Sequence, residues 1–148
     1  MLSETTKTFF SNNLGKLKQE IEAYRDEQKI WATEGSIANS AGNLCLHLVG
    51  SLNHFIGREL GGTGYTRNRD AEFSQKGVPR QELVKKIEET IVVVDNAMDS
   101  ITASQLAQDY PLAMQDKKVT VEYVLLLMVT HVNYHLGQVN YHRRLLDK

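Results

Sequence analysis

Residues 120–146 read TVEYVLLLMVTHVNYHLGQVNYHRRLL, and the spacing inside this stretch decides the fold. Val121, Val124, Leu125, Met128, Val132 and Val139 recur at steps that place them along one helix face, not along a strand. Thr120 stands where a capping hydroxyl belongs, so a helix is expected from about Thr120 to Leu146. Its longest apolar run, Val124–Val129, is far shorter than the roughly 20 residues that cross a bilayer.

Working outward, the same period recurs near the start of the chain. Phe10, Leu14, Leu17, Ile21 and Tyr24 step by four and three and predict a helix from about Ser3 to Gln28, with Ser3 as cap. A polar stretch, Thr33–Gly42, leads to a second helix over about Asn43–Leu60, whose inner face carries Leu44, His47, Leu48, Ser51 and Phe55. Gly61, Gly62 and Gly64 end it. The segment 61–77, GGTGYTRNRDAEFSQKG, has no helical period, and Gly61–Val78 is expected to be a long crossover connection. Pro79 opens a third helix striped by Val84, Ile87, Ile91, Val94 and Met98. Asp99–Lys118 is irregular, with a short helix at Ser104–Gln108. The expected architecture is an all-α, single-domain four-helix bundle over residues 1–148, with a long crossover between helices two and three.

The bulk numbers fit. The chain has 148 residues, 41% hydrophobic and 24% charged, with a formal net charge of −1 and no basic stripe, so no nucleic acid or anionic membrane partner is expected. One cysteine allows no intrachain disulfide, and the N-terminus lacks a secretory pattern, which makes the cytoplasm the default compartment.

All five histidines fall in two of these helices: His47 and His54 in the second, His131, His135 and His142 in the fourth. His131 and His135 lie about 40° apart on one helix face, a spacing at which two imidazoles can grip one metal ion. A third ligand must come from elsewhere in the bundle, and helix two supplies candidates. His47 and His54 are separated by about 20° of rotation and about 10 Å of height, and periodicity does not choose between them. Gln138 is placed to hydrogen-bond a ligand or substrate, and His142 lies too far along the axis to share the ion but can line a pocket. Cys45 points about 200° away from His47 and is expected to pack as a small hydrophobe. Trp31 and Tyr65 are candidates for a pocket edge.

With His47-Leu48 early in helix two and His131-x-x-x-His135-x-Gly137-Gln138 in a long last helix, the chain resembles the DinB-like/YfiT-like metal-dependent bundle proteins. The tail HVNYHLGQVNYHRRLL and the stretch NLCLHLVGSLNHFIGRELGGTGYTRNRDAEF carry the likeness, which extends over nearly the whole chain. The resemblance implies a triad of His47, His131 and His135 on one divalent ion, zinc or nickel, with iron as a third option. It selects His47 over His54, which is left with Gln138 and His142 as a possible support or pocket residue. It also implies a homodimer and, in some members, transfer or isomerisation with a low-molecular-weight thiol. Three neutral imidazoles leave coordination positions open, the composition of a catalytic site. The expected function is therefore a metal-dependent transferase or hydrolase acting on a small electrophilic substrate, with Arg67, Arg69, Asp70 and Glu72 of the crossover as first candidates for substrate contact. The alternative is a non-catalytic, metal-stabilised dimeric bundle serving as a stress-related scaffold or binding module.

Overall fold

A computed structural model describes residues 1–148 and is all-helical, with no strand and only two isolated β-bridges, Asp109–Thr120 and Met114–Lys117. No helix is long and apolar enough to cross a membrane.

Helix α1 (Leu2–Ala23) buries the predicted stripe: Phe10, Leu14, Leu17, Ile21 and the following Tyr24 are all at most 2% exposed. It starts one residue earlier than Ser3 predicts. Ser3 lies inside it and is buried, while the terminal ammonium of Met1 sits 3.1 Å from Glu4. It ends short of Gln28 because Asp26 caps a separate 3-10 turn, Glu27–Trp31, its carboxylate accepting the Gln28 N–H at 2.9 Å. The backbone N–H groups of Arg25 and Asp26 donate to the Asp147 carboxylate at 2.6 and 3.1 Å, tying this corner to the far end of the chain.

Helix α2 (Ala41–Leu52) begins at Ser40, whose hydroxyl accepts from the Asn43 N–H at 3.2 Å. Every residue of α2 except Val49 is buried, so this helix has no solvent face. Beyond it the chain widens into a π-helical turn, Asn53–Arg58, instead of continuing as α-helix to Leu60. Glu59 N–H bonds back to the His54 carbonyl, which leaves the Phe55 carbonyl without its usual helical partner; the Tyr110 hydroxyl donates to it at 2.6 Å.

The segment 61–78, expected as a crossover, is not structureless. It contains a short helix, α3 (Arg69–Ser74), capped by Asn68. Six residues cannot hold a helix in water alone. This one is pinned by buried Asn43, whose side-chain amide donates to the carbonyls of Glu72 (2.9 Å) and Gln75 (2.8 Å).

Helix α4 (Arg80–Ser100) follows Pro79 and buries Leu83, Ile87, Thr90, Val94, Ala97 and Met98. The expected stripe is correct at Ile87, Val94 and Met98 but out of phase at Val84 and Ile91, which are half-buried. Thr90 takes the core position because its hydroxyl is satisfied, donating to the Lys86 carbonyl at 2.7 Å and accepting from Asn53 at 2.9 Å. After the single turn α5 (Ala103–Leu106), helix α6 (Val121–Leu146) starts at the predicted Thr120 cap and buries Val121, Val124, Leu125, Met128, Val132, Leu136, Val139 and His142. Helix α1 packs on α4 and α6, and α2 packs on α3, α4 and α6, around one cluster of 29 buried apolar residues.

Candidate metal centre

Where α2 meets α6, three imidazoles converge. His47 comes from α2, and His131 and His135 come from successive turns of α6; one ring nitrogen from each lies within 4.8 Å of the others. The rings stack edge to face at centroid separations of 4.6 to 5.2 Å. His54 is not in this group. It belongs to the π-helical turn, where its ring packs on Phe55 and its Nδ1 is buried without a partner.

Hydrogen bonds assign the tautomers of two of the rings. His47 Nδ1 lies 3.0 Å from the Glu72 carboxylate, which can only accept, so Nδ1 carries the proton and the Nε2 lone pair is free. His135 Nδ1 lies 2.6 Å from the Gln138 side-chain oxygen, which frees its Nε2 in the same way. His47 Nε2 in turn lies 3.0 Å from His131 Nε2. These are the features of metal-binding histidines, whose second nitrogen is fixed by a carboxylate or carbonyl oxygen. The fit to an ion can be judged from the spacing. Zinc–nitrogen bonds of about 2.0–2.1 Å in a tetrahedron put ligand nitrogens about 3.4 Å apart. The 3.0 Å pair is near that value, and the 4.8 Å limit closes with a ring movement of about 1.4 Å.

The charge state suits ligation. Burial pushes the His131 pKa down to about 4, assisted by the neighbouring His135, His47 and Arg67. Burial also lowers His47, outweighing the upward pull of Glu72. Both rings are therefore neutral near pH 7, the form that binds metal.

Glu72 is the residue this corner is arranged around. It is 6% exposed, and Arg67 clasps both its oxygens, Nε to Oε2 at 2.9 Å and a terminal nitrogen to Oε1 at 2.9 Å. Arg67 also donates to the Ser51 hydroxyl at 3.0 Å and lies over the Phe55 ring. Gly50 makes room for the carboxylate: a Cβ there would stand 1.9 Å from Glu72 Oε2. The charged residues of segment 61–78 thus divide. Arg67 and Glu72 are occupied with each other and with His47, while Arg69 lies over Phe73 and Asp70 is exposed. Sequence reasoning placed Glu72 among substrate contacts and missed its bond to His47. The usable signal was the rule that a ligating histidine needs an oxygen partner, together with the shortage of acids near helix two.

Cys45 is buried, and burial raises its thiol pKa to about 12, consistent with a packing role. Trp31 packs on Gly42. Beside the trio, a cavity of about 520 Å³ opens between α6 and residues 36–39, with His135, Gln138 and His142 on its α6 wall. Neither Trp31 nor Tyr65 lines it.

Residues 3–148 match the model of a family described as a protein of unknown function, DUF1572. The chain belongs to this family. A search of curated proteins finds no match for this DUF1572 chain.

Proposed function

We propose that this DUF1572 chain is a DinB-like, metal-dependent enzyme of the transferase or hydrolase type, with His47, His131 and His135 as the ligands of one zinc, nickel or iron ion. In this reading α1, α2, α4 and α6 form a four-helix bundle, and residues 61–78 are its long crossover. The observation that carries the proposal is the convergence of three imidazoles, two of them oriented through Nδ1 by Glu72 and Gln138. A bound ion would supply Lewis acidity, making a thiol or water nucleophilic near neutral pH toward a small electrophilic substrate. Glu72 holds His47 in the ligating tautomer, and Arg67 fixes the position of the Glu72 carboxylate by bonding both its oxygens. Gln138 does for His135 what Glu72 does for His47. Dimerisation belongs to the same reading: Tyr123 and Leu126 are exposed apolar residues along α6 that a second copy would cover.

The alternative, a scaffold held together by metal, is disfavoured by the size of the apolar core, a single cluster of 29 buried residues. The test is metal analysis of tag-free protein. Wild type should carry roughly one ion per chain and His131→Ala far less. Equal content in the two overturns the triad. Chelation should then abolish turnover in a thiol-transfer and hydrolysis panel while helicity stays; collapse of the fold would favour the scaffold.

A further inference from the structure

His142 has no part in the triad, yet it is 8% exposed and lines the cavity beside His135. Its Nδ1 is buried without a hydrogen-bond partner. Buried imidazoles ordinarily find partners, and no protein group supplies one for this nitrogen. Burial is the sole influence on its pKa, which is lowered, so the ring is neutral with one nitrogen to donate and one to accept.

The rest of the wall says what kind of molecule fits. Ile37, Leu44 and Leu145 supply apolar surface, and Tyr134 and Tyr141, 66% and 62% exposed, also line the cavity. Ser36, Asn39 and Gln138 are polar but uncharged, and no Lys, Arg, Asp or Glu lines the cavity. A cationic ligand group inside would lose hydration with no carboxylate to replace it. The volume of about 520 Å³ suits a small organic molecule. His135 and His142 are seven residues apart, about 10 Å along the helix axis.

We propose that this cavity is the substrate pocket of the metal centre, that it takes neutral, partly aromatic or aliphatic molecules spanning about 10 Å in preference to cationic ones, and that His142 hydrogen-bonds the end of the molecule remote from the metal. The proposal rests on the metal-enzyme reading for the word substrate; the pocket and its selectivity stand without it.

The test uses three probes of similar size: benzamide (neutral, hydrogen-bonding), toluene (apolar) and benzylamine (cationic). Binding is followed by NMR on the full chain, through the backbone amides of residues 36–39 and the His142 ring. Benzamide should perturb both sets of signals, and benzylamine should bind at least about tenfold more weakly. His142→Leu should cost benzamide roughly tenfold in affinity and leave toluene unchanged, with His142→Gln restoring part of the loss. Metal content and melting temperature should match wild type in both variants. Absence of benzamide shifts at millimolar concentration, preference for benzylamine, or equal losses of benzamide and toluene in His142→Leu each overturn the proposal. Repeating the titration in His131→Ala separates the two readings: benzamide binding that persists without metal supports the pocket whatever becomes of the triad, and a metal-loaded protein that ignores benzamide refutes the pocket alone.

Discussion

The seam between α1 and α4 and the seam between α2 and α6 are built from opposite materials. In the first, Phe10, Leu14, Leu17 and Ile21 face Leu83, Ile87 and Val94, all at most 1% exposed, and the polar contacts stay at the rim: Lys7–Asp99, Lys18–Glu88 and Ser11–Asp95. In the second, buried polar groups meet in a chain of named partners, from Arg67 through Glu72 and His47 to His131. Apolar burial is non-directional and tolerates small shifts, whereas a buried polar chain is worth its cost only when every member is paired. The lesson is a division of labour: one seam holds the fold and the other holds a geometry.

That division can be broken at either seam. The largest effect is expected from Leu17→Ala, which should lower unfolding free energy by about 2–5 kcal/mol in urea titrations while the folded fraction binds zinc as wild type does. Weakened metal binding at equal folding would mean the seams are not independent. Next comes Glu72→Gln, which keeps the shape but loses the charge opposite Arg67 and the strong acceptor for His47. Zinc affinity, measured by chelator competition, should fall about 10- to 100-fold, with a stability loss of about 1–3 kcal/mol. Gly50→Ala, which pushes on the same carboxylate, should act in the same direction.

Acid should act on the polar seam of metal-free protein. The folded pKa of His131 is about 4 against an ordinary 6.5, so the unfolded chain takes up the proton first. The stability tied to this ring is complete above pH 6.5 and declines as pH falls toward 4. Urea midpoints across that range should drop less steeply in His131→Leu, and an unchanged slope would remove His131 from the explanation. The smallest effect belongs to Glu20→Gln at the α1–α6 edge. Burial pushes the Glu20 carboxyl up, but hydrogen bonds from Arg143 (2.6 Å) and Asn140 (2.7 Å) carry it below its usual range. The pair stabilises above the usual carboxylate range and fades as pH falls through it, contributing under about 1 kcal/mol.

What was legible in the sequence follows the same division. The α1 stripe was plain because one face of that helix meets the core and the other meets water. In α2 the period is erased: Cys45 and Leu46 are as buried as Leu44 and Leu48, since α3, α4, α6 and the 3-10 turn cover the helix on all sides. The phase of α4 slipped because Thr90, a polar residue, occupies a core position once its hydroxyl is paired. The clamp of His131 and His135 was readable because it is local, four residues on one helix. Glu72 was not, because its bond to His47 spans 25 residues and depends on Asn43 catching the backbone of a helix too short to announce itself.

Asn43 has a consequence that reaches beyond the histidines. It hangs α3 on α2 through two backbone carbonyls, and α3 carries the carboxylate that orients His47. Occupancy of the triad and attachment of residues 61–78 are therefore two readouts of one equilibrium, and linkage makes the influence mutual. A cation held by the histidines should slow amide exchange in the Arg69–Ser74 turn, and anything that peels that turn away should loosen the cation by the same factor.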